Sequence, residues 1–293
     1  LRFVQGLGAA ATRVVAVSVV RDCYSGREMA SVMSLVFTVF MAIPIIAPSI
    51  GQGILFLGAW HLIFMFMGGL AIVMGVWAYL RLPETLHPEY RRPLKLSVIL
   101  DGFRIVVSNR VAFFYGTSSM LFFGAMFGFI VSSQQIFGDV YGLGPLYPIA
   151  FAIMGLTMAI ANLINSRIVR VYGQRRVSHT ALLVYIACGS AVLSWAVIAG
   201  SVPLPIYYAL FLVLQFAFAL ATSNMNSLSM EPLGQVAGTA AAVFGFMQTV
   251  GGALIGTFIG QHYDGTLVPN ATGYTLMGAA VLSCILVAEK GKL

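Results

Sequence analysis

Two arginines, Arg2 and Arg13, stand inside an apolar stretch that ends at Arg21. An arginine at the middle of a membrane helix costs about 2.5–3.5 kcal/mol on insertion scales, so a cavity, a partner or an interface must compensate it. At a rise of 1.5 Å per residue, Arg2 lies about 28 Å from Arg21 and Arg13 about 12 Å. Arg13 can snorkel to that boundary, whereas Arg2 faces a polar cavity or the opposite surface. Gln5 follows Arg2 by one turn, and Gly6, Gly8, Ala9 and Ala10 admit close contact with another helix. Groups of this kind suit polar contacts in a cavity within the membrane or with a closely packed helix. Bond-making chemistry lacks its residues. His61, His87, His179 and His262 are scattered, so a membrane enzyme such as a lipid-modifying transferase lacks a clustered site. Cys23, Cys188 and Cys284 are dispersed, which argues against a disulfide framework or a metal centre. No Gly-x-x-x-x-Gly-Lys-Ser/Thr loop is present to take up a nucleotide.

The elements that must position these residues are membrane helices. Apolar residues make up 59% of the 293 residues and charged ones 9%, with mean hydropathy +0.93, whereas soluble domains are about one-quarter charged. Nine apolar runs, near 3–20, 29–56, 59–80, 111–137, 145–169, 177–200, 204–230, 235–260 and 271–289, are each close to or above the roughly 20 residues that cross a bilayer as helix. They lack the two-residue alternation of barrel strands.

Basic residues follow the odd-numbered runs: Arg21 and Arg27; Arg81, Arg91, Arg92, Lys95, Arg104 and Arg110; Arg167, Arg170, Arg175 and Arg176; Lys290 and Lys292. The seventh run is the exception. The intervening loops hold no Lys or Arg, only Asp139 and Asp264. Short basic loops stay cytoplasmic, so the C-terminus is expected inside, and the net charge of +7 reports topology and not nucleic-acid binding. Nine spans then place the start outside, without an initiator Met or signal peptide. The long basic connection near 81–110 has three runs before it and six after. Since transporters are commonly built from two similar halves, three preceding helices are expected. The three parts would be 1–80, the remainder of a first bundle; 81–110, a cytoplasmic linker with an amphipathic stretch at 95–107 on the membrane surface; and 111–293, a complete second bundle.

The second run carries Pro44 and Pro48, each without a backbone donor, followed by Gly51 and Gly53, so a deformable helix is expected. In the eighth, Gly252, Gly256 and Gly260 recur every fourth residue on one helical face. Glycine-rich helices at matching places in two halves point to the moving interface around a binding site; tight packing is the plainer alternative. Uncharged polar residues inside the runs, Gln134, Gln135, Asn162, Gln215, Asn224, Asn226 and Gln248, are candidates to line a cavity or to join helices, where a buried amide is worth about 0.6–2 kcal/mol. Aromatics crowd the fourth run at Phe122, Phe123, Phe127 and Phe129, and walls of this kind suit bulky apolar ligands.

The pattern Arg2-x-x-Gln5-Gly6-x-Gly8-Ala9-Ala10 resembles the fourth-helix motif of the major facilitator superfamily, particularly its drug:proton antiporters. Ala47-Pro48-x-x-Gly51 resembles the fifth-helix antiporter motif in the form of the Bcr/CflA branch, the bicyclomycin and chloramphenicol resistance exporters. Ala47 and Gln52 depart from its usual Gly-Pro-x-x-Gly-Gly. Arg21-Asp22, Leu82-Pro83-Glu84-Thr85-Leu86, and the stretch from Ser223 through Glu231-Pro232 to Ala240 are similar to the same branch. Asn165 to Arg176 resembles the second-half copy of the family's cytoplasmic loop motif, with Arg170 in its acidic slot.

The resemblance implies an all-α membrane protein of the major facilitator fold, its nine helices equivalent to helices four to twelve of twelve. It implies a secondary active exporter of the bacterial inner membrane, working by alternating access on small apolar or amphipathic drugs. The energy source would be the proton gradient, with no cofactor, no metal and no catalytic residue. Arg2, Gln5, Arg13 and Asp22 are the coupling and gating candidates. None of the nine acids falls at a midplane, and the family's proton-binding carboxylate lies in the first helix. This stretch by itself is therefore expected to be inactive. An uptake facilitator of the same fold is the alternative.

Overall fold

The computed structural model describes residues 4–6, 8, 12, 19, 43, 46, 47, 49–83 and 96–291, with backbone alone at 96–100 and 234–238. The described residues form helices and connecting turns without a strand, and seven of the helices are long and apolar enough to cross a membrane. These cover 61–81, 110–140, 144–172, 174–199, 204–233, 239–261 and 268–288. The first two apolar runs of the sequence lie mainly outside the described residues.

The chain divides into two units, Leu1–Pro93 and Leu94–Leu293. In the first, α1 (His61–Arg81) buries none of its residues. Its exposed Phe64, Leu70, Ile72 and Trp77 form an apolar surface suited to lipid.

The second unit is a bundle organised around α3 (Arg110–Gln135). Asn109 caps α3 by accepting a hydrogen bond from the Ala112 N–H at 3.0 Å, which satisfies one of the free donors of the first turn. A π-helical turn, Ile136–Val140, extends it. Then follow α4 (Tyr147–Tyr172), α5 (Gln174–Ala199) and α6 (Leu204–Met230). Pro148 and Pro205 sit in the first turns of α4 and α6, where a missing N–H costs no helical hydrogen bond. Gly173, at φ 79°, reverses the chain between α4 and α5 as a single residue, a conformation that penalises side chains with a Cβ.

The eighth apolar run is not one regular helix. It breaks into α7 (Ala237–Phe246), a π-helical turn (Met247–Gly251) and α8 (Gly252–Gln261), and α9 (Val268–Ala288) completes the bundle. Preceding α3, helix α2 (Leu96–Ser108) belongs to this unit and rests against α7. Its Gly102 and Val106, one turn apart, are buried, and Gly102 abuts Thr239. The other side of α2 exposes Phe103, Ile105 and Val107.

Aromatic rings fill the bundle centre. Phe122 meets Tyr185 edge-on at 4.7 Å, and Phe129 meets Phe211 at 4.5 Å. These contacts join α3 to α5 and α6, and buried Phe137, Leu182 and Leu214 surround them. Along the α3–α8 seam, bulk alternates with its absence. Gly124 and Gly128 receive Ile255 and Ile259, while Gly252, Gly256 and Gly260 lie against Phe123, Phe127 and Val131. With hydrocarbon outside and inside, such shape fit supplies the packing energy that water exclusion supplies in soluble proteins.

Candidate functional site, an amide belt and a polar lock

The polar run Thr222-Ser223-Asn224-Met225-Asn226-Ser227 brings hydrogen-bonding groups around the last turns of α6. Ser223 donates to Asn162 Oδ1 at 2.6 Å. Asn224, 2% exposed, donates through Nδ2 to Asn165 Oδ1 at 2.8 Å and to the Leu220 carbonyl at 2.7 Å. Gln248, in the π-helical turn, donates to Asn226 Oδ1 at 2.6 Å. A belt of neutral amides and a hydroxyl thus connects α4, α6 and the π-helical turn. Asn224 is buried, Asn162, Asn165, Ser223 and Gln248 are half-buried, and Asn226 is exposed. Amide and hydroxyl groups both donate and accept, so the half-buried members can exchange internal partners for a ligand's polar atoms.

Four of the seven amides singled out from the sequence, Asn162, Asn224, Asn226 and Gln248, meet in this belt. Asn165 and Ser223 complete it without having been candidates; the signal for Asn165 is its spacing of three from Asn162, which puts both on one helical face. The other three amides lie elsewhere. Gln134 and Gln135 are exposed at the end of α3. Gln215 is 1% exposed in α6, its Nε2 unpartnered among the described residues.

A second polar group, which the sequence reading did not assemble, closes the basic end of the bundle. Arg175 Nε lies 2.7 Å from Glu289 Oε1, and Tyr115 donates its hydroxyl proton to the same oxygen at 2.9 Å. The Tyr115 oxygen is also 3.1 Å from His179 Nε2. Because Tyr115 has a single proton and gives it to the carboxylate, His179 must supply the Nε2–H in that contact. Arg110 adds a bond from Nη2 to the Ala288 carbonyl at 3.1 Å. The first turns of α3 and α5 are thereby tied to the end of α9. Burial alone would lift the Glu289 carboxyl, but the hydrogen bonds from Arg175 and Tyr115 outweigh it and hold the group below its ordinary range.

At the other end, Tyr141 donates to the Val202 carbonyl at 2.9 Å, Ser133 and Tyr147 share a bond of 2.9 Å, and Asn270 donates to Ser132. Asp264 accepts from the Thr266 hydroxyl at 2.6 Å and from the Thr266 N–H at 2.9 Å. The hydroxyl bond leads in holding the Asp264 carboxyl low.

Of the coupling and hinge candidates, Arg2, Arg13, Asp22, Pro44 and Pro48 lie outside the described residues. Gln5 is helical and exposed, and Gly51 is helical and half-buried. Gly252, Gly256 and Gly260 form the α8 side of the seam on α3. Cys188 and Cys284 are free thiols. No grouping of His, Cys, Asp and Glu suited to a metal occurs among the described residues.

The sequence matches the Major Facilitator Superfamily over residues 1–256. It is 29% identical over 289 residues to a bicyclomycin resistance protein homolog of Haemophilus influenzae, an alignment covering 98% of this chain and 71% of that protein. An uncharacterized MFS-type transporter of Bacillus subtilis, YdgK, is 26% identical over 92% of this chain and 67% of its own length. The multidrug resistance protein MdtL of Vibrio parahaemolyticus is 28% identical over 98% of this chain and 71% of its own. A helical membrane bundle with small-residue seams and a neutral polar belt, matched over most of its length, places this protein as a transporter and not an enzyme: the chain belongs to the Major Facilitator Superfamily.

Proposed function

We propose that this protein exports small apolar or amphipathic drugs across the bacterial inner membrane, driven by proton entry, by alternating access between two bundles. In this reading residues 1–80 are helices four to six of twelve, 81–110 the linker, and 111–293 helices seven to twelve, with the C-terminus cytoplasmic. The observation that carries it is the belt from Asn162 to Gln248: six amide and hydroxyl side chains, none charged, spread over three segments of an otherwise apolar helical bundle. Such a surface suits ligands with a few polar atoms on an apolar body, and it agrees with relatives named for bicyclomycin and multidrug resistance. Arg2 and Gln5 are assigned to tuning the proton-binding group, with Arg13 and Asp22 in gating.

The test is drug accumulation in cells lacking their main exporters, with this protein expressed from its complete reading frame. Accumulation of bicyclomycin or chloramphenicol should fall on expression and recover when the proton gradient is collapsed. Accumulation indifferent to the gradient would reject antiport, and accumulation raised by expression would mark an uptake facilitator instead.

A further inference from the structure

The interior of the second unit is aromatic and aliphatic, yet three uncharged polar groups end inside it. Gln215 of α6 is 1% exposed, and its Nε2 has no hydrogen-bond partner among the described residues. The hydroxyls of Tyr207 on α6, 2% exposed, and Tyr274 on α9, 3% exposed, are likewise unpartnered there. A buried donor without a partner forfeits the hydrogen bond that water gave it in the unfolded chain, and surrounding hydrocarbon offers no replacement.

Packing fixes where these groups stand. Helices α3, α6, α5 and α9 form a ring, each packed on the next, so that α3 faces α5 and α6 faces α9 across its centre. Phe122 of α3 lies against Phe218 of α6 and Phe129 against Phe211, a register that sets Gln215 level with Ala125. On the other side of the ring, Tyr185 of α5 lies against Gly278 of α9, and Tyr274 against Gly189. Phe122 meets Tyr185 at 4.7 Å across the centre and brings both pairs to a common level. One turn farther from the basic end, Gln215 and Ala125 therefore share a layer with Tyr274 and Gly189. Ala125 and Gly189 are both buried, so α3 and α5 bring little bulk to the layer in which α6 and α9 bring polar groups. The Tyr274 ring centre is 6.2 Å from that of Tyr185, and its hydroxyl interacts electrostatically with those of Tyr185 and Tyr207.

The occupant suited to such a place is small, neutral and able both to donate and to accept. Groups this deeply enclosed are out of reach of a bulky ligand. An ion would find no opposite charge, since the side chains of this layer are uncharged. Water meets the requirement: it accepts from Gln215 Nε2 and donates to a tyrosine oxygen, which can itself both donate and accept. Internal waters commonly hold about three such bonds. We infer that the centre of the second bundle is a hydration site, where buried water bridges Gln215, Tyr274 and Tyr207 and so joins α6 to α9 across the ring. The site lies inside one bundle and does not depend on what the protein transports.

Two measurements on the full chain test this. X-ray radiolysis makes hydroxyl radicals from water, bound water included, and these modify adjacent side chains. Phe211 is 1% exposed and stacked on Tyr207 at 5.8 Å, so it should be modified in the wild-type protein in spite of its burial. In the triple variant Tyr207→Phe, Gln215→Leu, Tyr274→Phe that modification should fall several-fold. Thermal unfolding supplies the second reading. Tyr207→Phe and Tyr274→Phe should each lower the unfolding temperature by about 2–4 °C, the scale of one hydrogen bond in a unit of this size. The triple variant should recover most of that loss, because removing every partner leaves no polar group unsatisfied. Dry hydroxyls would give the opposite sign, each Tyr→Phe raising the unfolding temperature, and would overturn the assignment. Phe211 left unmodified in the wild type would overturn it too, since the three groups would then bond one another directly. Equal modification in the wild type and the triple variant would do the same.

Discussion

Gly256 of α8 packs directly on Gly128 of α3: a Cβ added at Gly256 would stand 2.8 Å from the Gly128 backbone nitrogen. The obstacle is backbone, which cannot swing aside as a flexible side chain can. Gly256→Ala is therefore expected to destabilise the bundle by about 1–3 kcal/mol, the cost of overpacking. Gly245→Ala, in α7 with nothing within 4 Å of the added carbon, should be neutral or stabilising by up to about 1 kcal/mol, since alanine favours helix over glycine. Thermal unfolding of the two variants in detergent checks the opposite signs.

The bond between Arg175 and Glu289 makes stability depend on acidity in a defined direction. The Glu289 carboxyl is held below its ordinary value of 4.5, so the unfolded chain binds the proton more readily than the folded one. The stabilisation is complete above about pH 4.5 and is lost as pH falls through the depressed folded value. Between pH 7 and 5 this group should leave unfolding temperature unchanged; below that the temperature should fall. Glu289→Gln should flatten the acid slope and cost about 1 kcal/mol at pH 7, reduced from the full value of a charged hydrogen bond because Arg175 is half exposed. Asp264, held low by Thr266, titrates in the same sense, so the slope should shrink and not vanish.

Both features bear on how much of the molecule can be read from the chain alone. Span existence follows from apolar length, and the seven described spans start and end within four residues of the runs read from sequence. The differences arise where polar residues continue a helix past the apolar core. Gln174, Arg175 and Arg176 belong to the first turn of α5, because long polar side chains reach the interface from helical backbone. The eighth run hides a break, since a π-helical turn has no marker in hydropathy: it depends on Gln248 meeting Asn226 and on Gly251 fitting against Met120. Residue type picks out amides that must find partners in a membrane, but partnership depends on helix adjacency. Asn224 and Gln215 are indistinguishable in kind, yet one joins the belt and the other is buried with its Nε2 unpartnered. Glu289 and Tyr115, 174 positions apart, show no local sign of one another.

The belt predicts transport variants that fold. Asn224→Leu keeps the approximate volume and removes the bond to Asn165, costing about 0.6 kcal/mol of helix association and at most about 1.7. Membrane yield should therefore stay near wild type. Drug export should shift more than yield, because Asn165 loses its partner and the belt its one fully buried member, while Ser223 and Asn162 keep their own bond. Resistance profiles normalised to membrane yield check this; a profile parallel to wild type for every drug would reduce the belt to helix joining.

The π-helical turn sets the angular register between two features that the chain must satisfy at once. Near its start, Gln248 reaches Asn226 on α6; just after it, Gly252 and Gly256 meet α3. Adjacent residues in a helix are separated by about 100°, from 3.6 residues per turn. Deleting Val250, which is exposed, should let the turn become ordinary helix and rotate the glycine face by about that angle relative to Gln248. Either the seam or the amide bond must then be lost. Because the seam is continuous and the amide bond is single, the seam should hold and Gln248 should swing away. A cysteine pair at Gln248 and Asn226 reads this directly. Oxidative cross-linking should be efficient in the full-length background and several-fold slower in the Val250 deletion, whereas a pair at Ile255 and Gly124 should cross-link alike in both. The reverse pattern would mean that the amide bond, and not the glycine seam, fixes the helix.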